Sequence, residues 1–498
     1  MTTKLSLATL ASLKGRAALP AYRREDLTPG ILHFGTGNFH RAHMAVYLHE
    51  LFNTGRDLGR DLGWGIIGAG VMPSDRRMHE VLKGQDFLTT VVEQDADRSG
   101  ATVTGPMLDM ITAPDFARII DTLASPQIRI VSMTITEGGY FIDPATGTFD
   151  AAHPAIIADA KDPEHPQTVF GLIIAGLKAR RAAGIPPFTV MCCDNIPGNG
   201  EVTEATVCGL ARLSDPGFAD WIHANVAFPN SMVDRITPAT GEREIRMTAE
   251  AYGIEDGWPV FCEGFKQWVL EDRFPLGRPA LELAGVTFVP DVAPYELMKL
   301  RILNGGHAAI AYPAALMDIH FVHEAMENPL IRSFLAKLEH EEIIPVVPPV
   351  PDTRLEDYFA LIESRFSNPK IGDTIPRLAQ DGSNRQPKFI LPSTADRLAQ
   401  GLDVQGLALV SALWCRYFEG TSDSGAAIAF NDPAADRLHA AALASRADPD
   451  AFTGLADIFG PVGLDPRFRQ RFGEALTSLR AHGTADTLRR YLNGTLAS

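Results

Sequence analysis

Three polar residues interrupt an apolar helical pattern between residues 291 and 312. They are Lys299, Asn304 and His307, with Gly305-Gly306 between the last two. At about 100° per residue, all three side chains fit on one side of a helix, where an amine, an amide and an imidazole can do acid–base chemistry. On a straight helix Lys299 and His307 are about 12 Å apart, so either the lysine side chain spans the gap or the glycines bend the helix. Taken separately, the same residues also fit a solvated lysine, a capping asparagine and a core histidine.

A glycine turn near the N-terminus is a second feature that could bind a ligand. An apolar run, GILHF, leads into Gly35-Thr36-Gly37, the first half of a dinucleotide fingerprint. Asn38 and Phe39 then open a predicted helix. This arrangement directs backbone N–H groups at a pyrophosphate.

A second G-x-G, at Gly68 and Gly70, ends the next predicted strand and competes for the same role. We favour the first turn, because a helix follows it at once whereas Pro73 follows the second. In a Rossmann unit, the end of the second strand carries the acid that binds the adenine ribose. Asp75 is the nearest candidate; the alternative is a surface aspartate in a Pro-Ser-Asp turn.

These ligand-binding features need a sheet to position them. Residues 128–136 and 187–195 are continuous apolar runs, typical of strands covered on both faces, and helical patterns lie between the strands. Strand alternating with helix predicts an α/β domain with a mostly parallel sheet, which binds ligands at the carboxyl ends of its strands. Glu137 and Asn195 lie at two such ends.

The second half of the chain has a different pattern. After Pro290, helical patterns dominate and strand-like runs almost vanish, which predicts an all-α C-terminal domain. We therefore divide the chain into residues 1–291, for dinucleotide binding, and 292–498, for substrate binding and catalysis. A polar segment at 381–389, predicted as a loop, contains Arg385 and follows Arg377, so it forms a basic cluster in an acidic protein.

Composition limits the possible partners. The chain has 498 residues and a net charge of −16, which argues against nucleic acid or an anionic membrane as its main partner. The five cysteines form no C-x-x-C pair, which indicates a reduced, cytoplasmic setting. No His/Cys set has usable metal-ligand spacing, so no metal site is predicted. The oligomeric state is left open, and a monomer is compatible with the sequence.

Six motifs occur together in one order: HFGTGNFHRAH, TITEGGY, CDNIPGNG, FPNSMVDRITP, MKLRILNGGH and DGSNRQPKF. With them the chain resembles the mannitol dehydrogenase family of polyol-specific long-chain dehydrogenases, from about residue 20 onward. The resemblance implies a Rossmann-type domain, a helical domain and an active site between them. It also implies metal-free hydride transfer to NAD; NADP stays open, because Ser74 stands where many relatives have a second acid.

The motifs and the resemblance together give a set of predicted site residues. The predicted catalytic residues are Lys299, Asn195, Asn304 and His307; the predicted substrate-binding residues are Asp234, Arg377, Arg385 and His307; the predicted cofactor-binding residues are Gly35, Thr36, Gly37, Asn38, Phe39, Asp75 and Glu137. Glu137 is also a candidate gate for a proton path. Arg385 departs from the family's mannitol dehydrogenases, which more often have lysine there.

The expected reaction is reversible oxidation of a linear polyol at C2, D-mannitol to D-fructose. Lys299 would take the hydroxyl proton, which requires a pKa well below the ordinary ~10.4. Asn195 and Asn304 would donate hydrogen bonds to the developing alkoxide. Reduction of a hexuronate, oxidation of arabinitol or sorbitol, and a non-catalytic nucleotide sensor are the alternatives.

Overall fold

In the computed structural model, which describes residues 2–55, 61–143 and 147–496, the chain forms two units, Met1–Ala293 and Pro294–Ser498. The assignment of residues 1–291 to dinucleotide binding and 292–498 to substrate binding and catalysis stays a prediction. The strands, all in the first unit, are β1 (Thr3–Lys4), β2 (Pro29–Phe34), β3 (Gly65–Gly70), β4 (Thr89–Gln94), β5 (Ser99–Thr104), β6 (Met107–Thr112), β7 (Ile130–Met133), β8 (Thr189–Cys192), β9 (Ser231–Asp234), β10 (Ile254–Glu255), β11 (Val260–Cys262), β12 (Gln267–Glu271) and β13 (Thr287–Val289).

The central sheet has five parallel strands in the order β6-β3-β2-β7-β8. This is the Rossmann order, in which the chain reverses direction across the sheet between β2 and β7. The predicted parallel sheet is therefore confirmed. The turn after β2 and the turn after β7 lie side by side at the reversal, where sheets of this type bind ligands.

Both faces of this sheet are covered, which explains why its strands are mostly apolar. Leu32 and Phe34 of β2 pack into one buried cluster, with helices 116–124 and 169–182, whereas Ile31 packs into another, with helix 44–53. Because successive side chains of a strand alternate faces, a strand buried on both sides needs apolar residues at nearly every position.

The remaining strands form three small sheets in the same unit. Their orders are β1-β10, β11-β4-β5 and β13-β12-β9, and the last includes an antiparallel pair between β12 and β9. The α-helices of the first unit are Asn38–Ala42, Met44–Asn53, Asp75–Lys83, Phe116–Ala124, Pro154–Lys161, Val169–Ala182, Asn199–Ser214, Pro216–Asn225 and Glu242–Tyr252.

The second unit is helical over its described residues, as predicted, and it includes two π-helices. In a π-helix the backbone hydrogen bonds skip one residue more than in an α-helix. The π-helices are Lys299–Asn304 and Glu339–Ile343; the α-helices are Ala293–Met298, Gly305–Leu316, Val322–Glu327, Pro329–Leu338, Leu355–Phe366, Ile375–Ala379, Gly382–Phe389, Leu391–Ala399, Gln405–Tyr417, Ala435–Ala444, Asp450–Thr453, Ala456–Phe459 and Pro466–Leu492.

One predicted loop is a helix. Residues 381–389 were expected to form a polar loop, but Gly382–Phe389 is α-helical. The carboxylate of Asp432, distant in sequence, accepts hydrogen bonds from the backbone N–H and the hydroxyl of Ser383 at 2.8 and 2.7 Å. This contact satisfies donors of the first turn, which local sequence cannot supply.

Among the described residues, no helix combines the length and the apolar character needed to cross a membrane.

Buried histidines make the stability of the first unit depend on pH. Burial lowers the pKa of His33 and His43 to about 3 and that of His49 to about 4. Below the unfolded pKa of about 6.5 the unfolded chain takes up protons that the folded chain excludes, so stability is lost as pH falls. We expect each histidine to lower the unfolding free energy by about 2 kcal/mol between pH 7 and pH 5.

The variant His49→Gln isolates one of these contributions. Asn53 donates a 2.9 Å hydrogen bond to Nε2 of His49, and a glutamine oxygen can accept it instead. Urea unfolding of both proteins at pH 7, 6 and 5 should show a smaller loss of stability in the variant. Equal losses in the two proteins would show that His49 stays out of the acid response.

Candidate active site

The glycine turn after β2 is closely packed at its first glycine and open at its second. Gly35 has a φ of +87°, and a β-carbon there would lie 2.0 Å from the carbonyl oxygen of Thr134, in the turn after β7. Only glycine fits this position. At Gly37 a β-carbon would meet no atom within 4 Å, and no side chain caps the helix that starts at Asn38. The turn can therefore receive a pyrophosphate close to its backbone.

Thr36, Asn38 and Phe39 have structural roles in this turn. The buried Thr36 hydroxyl points to sulfur atoms within the unit. The Asn38 amide donates to Thr240 at 2.9 Å and accepts from Arg41 at 2.9 Å, while the Phe39 ring stacks on His43. The side chain of Asn38 thus bonds to other residues of the protein. Its predicted contact with a cofactor would therefore be made by its backbone.

Asp75 lies against the end of β3. Its carboxylate accepts a 2.9 Å hydrogen bond from the backbone N–H of Met72, and a β-carbon at Gly70 would lie 2.6 Å from Oδ2 of Asp75. Glycine at the end of β3 therefore makes room for this carboxylate. Burial raises the pKa of Asp75, with the Met72 hydrogen bond opposing it. The position is the one where Rossmann units hold the ribose-binding acid.

The carboxylate of Asp194 joins the ends of β7 and β8. It accepts hydrogen bonds from the backbone N–H groups of Ile135 at 2.8 Å and Thr136 at 2.9 Å, and from the Tyr140 hydroxyl at 2.6 Å. Hydrogen bonds to a carboxylate are short and strong, so they fix both segments. The exposed Asn195 follows directly, and its backbone is anchored by this contact.

Glu137 begins a short 3-10 helix, Glu137–Tyr140, on the same anchored segment. The preceding Thr136 has a φ of +68°, an uncommon conformation for a β-branched residue. Such backbone strain occurs where the surrounding structure imposes it, often at functional sites. The N–H of Thr136 itself donates a 2.9 Å hydrogen bond to the Asp194 carboxylate, which helps to hold this conformation.

Asp234 is buried at the end of β9, beside an arginine with no exposed side-chain surface. Arg235 donates to the carbonyl oxygens of Ala42 and Glu263 and pairs with the carboxylate of Glu93. These bonds satisfy a buried guanidinium and fix the chain direction at Asp234.

The first π-helix changes the position of Asn304 relative to Lys299. The residues Lys299–Asn304 are π-helical, and the N–H of Gly305 bonds to the carbonyl of Leu300, five residues back. In a π-turn, residues five apart lie close to one side, so Asn304 returns to the side of Lys299. His307 then follows within the first α-helical turn. Lys299 is 8% exposed, so the residue as a whole is buried.

His307 is connected to the two predicted arginines through Asp373. Its ring stacks on Phe366 with centroids 4.0 Å apart, and it lies near the carboxylate of Asp373. Asp373 in turn accepts hydrogen bonds from Nε and Nη2 of Arg377. Arg385 donates to the main-chain oxygens of Arg377 and Leu378, at 3.3 and 3.1 Å.

Within the second unit, the structure therefore groups the predicted residues, since helix 305–316 contacts helix 375–379. Within the first unit, the glycine turn, Glu137 and Asn195 lie at the carboxyl ends of neighbouring strands. The site roles themselves stay predictions. The sequence analysis missed Asp373, although its spacing of four residues from Arg377 is the pattern of a helical ion pair.

A second missed residue is Glu339, the first residue of the second π-helix. Its side chain has no exposed surface, and neither carboxylate oxygen has a hydrogen-bond partner among the described residues. A β-carbon at Gly306 would lie 3.4 Å from Oε1 of Glu339 and 3.5 Å from the Phe366 ring. The glutamate therefore packs against the helix that carries His307.

Comparisons with known proteins agree with this architecture. Residues 29–283 match the family model of the mannitol dehydrogenase Rossmann domain, and residues 291–480 match that of the mannitol dehydrogenase C-terminal domain. The chain is 55% identical to mannitol 2-dehydrogenase of Cereibacter sphaeroides over 474 residues, which cover 95% of this chain and 98% of that protein.

Two solved structures extend the comparison. The ternary complex of Pseudomonas fluorescens mannitol 2-dehydrogenase with NAD and D-mannitol is 42% identical, with a TM-score of 0.86, covering 99% of this chain and 100% of that one. A substrate-free D-sorbitol dehydrogenase is 34% identical, with a TM-score of 0.90, covering 97% and 100%.

A Rossmann sheet with a glycine turn at its reversal point, joined to a helical unit, defines a class of two-unit oxidoreductases. Within that class, the chain belongs to the mannitol dehydrogenase family, and the resemblance seen in the sequence is confirmed.

Glu339 gives a stability prediction. Burial raises its pKa well above the ordinary value, so the folded state favours the neutral acid. Stability is then complete below the unfolded pKa of about 4.3 and is lost as pH rises toward the folded value. The neutral variant Glu339→Gln should be more stable than the parent, by a margin that grows by up to about 1.4 kcal/mol per pH unit between pH 5 and 7.

Denaturant unfolding at pH 5, 6 and 7 measures this margin. The control is Glu363→Gln, which removes the carboxylate that pairs with the exposed Arg332. The difference in stability between this variant and the parent should stay nearly constant over the same pH range. A constant margin for Glu339→Gln as well would mean that the buried carboxylate is ionised at little cost.

Proposed function

We propose that the protein catalyses the reversible, metal-independent oxidation of D-mannitol to D-fructose with NAD. The observation that carries the proposal is the π-helix at Lys299–Asn304, which contains the buried Lys299 and turns Asn304 toward the same side of the helix. Support for the substrate comes from the relatives, since mannitol 2-dehydrogenase is the name of the 55% identical protein and of the 42% identical structure.

In this proposal Lys299 is the general base. Burial of an amine favours its neutral form, which can accept the proton of the C2 hydroxyl. As the proton leaves, the hydride on C2 moves to NAD, which serves as the hydride acceptor. In the reverse direction the protonated Lys299 returns the proton to the carbonyl oxygen of fructose.

The other site residues bind and polarise the substrate. Asn195 and Asn304 donate hydrogen bonds to the oxygen on C2, where negative charge develops; loss of one such donor typically raises the barrier by about 3 kcal/mol. Asp234, His307 and the two arginines bind hydroxyls further along the chain of the polyol. The proposal thus draws on residues of both units.

The cofactor would lie with its pyrophosphate at the turn of Gly35, Thr36 and Gly37, on the backbone N–H groups that lead into Asn38 and Phe39. Asp75 would accept hydrogen bonds from the adenine ribose, and Glu137 would lie near the reacting end. A cytoplasmic location also belongs to the proposal, since all five cysteines are free thiols.

The D-sorbitol dehydrogenase match, with its TM-score of 0.90, favours one second candidate, sorbitol oxidation. A panel of mannitol, sorbitol and arabinitol at saturating NAD separates these candidates. We expect kcat/KM to be highest for mannitol, and a higher value for sorbitol would replace the proposed substrate.

The role of Lys299 is tested by Lys299→Ala. Removal of a general base typically lowers the rate by about 10²- to 10⁴-fold, so kcat should fall by that factor while the Kd for NADH changes little. Steady-state assays and fluorescence titration measure the two quantities. The control Lys337→Ala removes an amine that bonds to backbone carbonyls of the C-terminal helix, and its kcat should stay close to that of the parent.

Near-normal turnover of Lys299→Ala would remove this residue from the chemistry. Dialysis of the parent enzyme against a chelator should leave kcat unchanged. A loss of activity that added Zn²⁺ restores would contradict the metal-independent mechanism.

Asp75 is tested through cofactor preference. In Asp75→Asn the loss of charged hydrogen bonds to the ribose should weaken NADH binding by about 10-fold or more. The neutral side chain also removes repulsion of the 2′-phosphate, so kcat/KM with NADPH should rise relative to NADH. The control Glu80→Gln neutralises an exposed carboxylate on the same helix, 3.6 Å from Arg76. If both variants retain the parent's preference, another residue selects the cofactor.

A further inference from the structure

The ion pair between Asp373 and Arg377 has a consequence for substrate choice. We infer that Asp373 is a specificity-determining residue, which makes the polyol site select neutral sugars and polyols over hexuronates by neutralising Arg377. The inference rests on the proposed function, because it needs Arg377 to bind substrate.

The ion pair is a fixed part of the protein. Both oxygens of Asp373 accept from the Arg377 guanidinium, and one of them also accepts a 2.8 Å hydrogen bond from the N–H of Thr374. The main-chain oxygen of Asp373 accepts a 3.0 Å hydrogen bond from the N–H of Val322, which fixes the backbone at Asp373. Only 9% of the Asp373 side chain is exposed, against 49% for Arg377. Solvent therefore reaches the arginine but hardly reaches the carboxylate.

The carboxylate is charged in the folded protein. Burial acts to raise the pKa of Asp373, but the hydrogen bonds and charge of Arg377 outweigh it, and His307 adds a smaller effect, so the pKa lies below its usual value. The pair is thus a positive and a negative charge in contact, with a net charge of zero.

This neutrality matters because two arginines together would attract an anion. Arg385 has no carboxylate partner among the described residues, and its bonds go to main-chain oxygens. An arginine binds a carboxylate best through two parallel N–H groups. At Arg377 the pair formed by Nε and Nη2 is already used by Asp373.

A hexuronate carboxylate on the remaining N–H groups of Arg377 would lie close to the negative charge of Asp373. Like charges at short distance repel, so the anionic substrate is rejected. A hydroxyl group needs only one donor, which Arg377 still offers. Asp373 therefore allows a neutral polyol and disfavours its uronate counterpart.

The test compares two substrates in Asp373→Asn, with the full-length enzyme. NADH oxidation is followed with D-fructose and with D-fructuronate, and the ratio of the two kcat/KM values is the readout. We expect the ratio of fructuronate to fructose to rise by about 10-fold or more, because the variant frees the charge of Arg377. Added NaCl should reduce this gain, since it is electrostatic.

Matched variants separate charge from structure. Asp373→Glu keeps the carboxylate and should keep the parent ratio, whereas Asp373→Ser is a second neutral variant that should raise it. The control Asp457→Asn breaks another arginine–aspartate pair, with Arg437, at the surface of the same unit, and its ratio should not change. If Asp373→Asn fails to fold, Asp373→Ser and the parent give the same comparison.

The outcomes are distinguishable. An unchanged ratio in a folded neutral variant would overturn the role of Asp373 while leaving the polyol reaction intact. A parent enzyme that reduces fructuronate but not fructose would overturn the proposed function itself. The inference stands only if the parent prefers fructose and the neutral variants lose that preference.

Discussion

A shift of the backbone hydrogen bonds by one residue, at Lys299–Asn304, is the feature on which the proposed chemistry of the second unit depends. In a regular α-helix Asn304 would lie about 140° from Lys299, at the far edge of the same side. The π-turn brings the amide back toward the amine, and the α-helix that resumes at Gly305 adds His307. Such a turn is less favourable than regular helix, so packing from outside must hold it. The second π-helix, at Glu339–Ile343, contacts the first and supplies part of that packing.

Much of the fold could be predicted from the sequence, because strands buried on both faces leave a clear apolar signal. The parallel sheet, the turn after β2 and the helical second unit all followed from such local patterns. The helix at Gly382–Phe389 did not, because its first turn is satisfied by Asp432 from a distant segment. The π-helices were also missed: a local pattern of apolar residues fits an α-helix equally well, and the difference is made by tertiary contacts.

The candidate site was predictable to a smaller extent. The spacing of Lys299, Asn304 and His307 was visible, and the resemblance to a family gave the residues their expected roles. What sequence could not give is how the protein uses each side chain. Asn38 binds Thr240 and Arg41 rather than pointing outward, and Asp373 holds the charge of Arg377. The contact between Asn38 and Thr240 joins residues 202 apart in the sequence, which no local pattern encodes. The spacing of Asp373 and Arg377 does suggest an ion pair, but the burial of the carboxylate cannot be read from it.

Two carboxylates, Asp194 in the first unit and Asp373 in the second, follow the same physical rule. Each is buried or nearly so, each accepts a backbone N–H, and each binds a side chain as well. A buried carboxylate without partners would be unfavourable by several kcal/mol, so its donors must keep their positions. The neighbouring groups are therefore also held in place. Asp194 fixes the backbone before Asn195, and Asp373 fixes the guanidinium of Arg377. A site whose polar groups are held in this way needs little reorganisation when charge develops on the substrate, and that is the condition under which hydrogen-bond donors stabilise a transition state most.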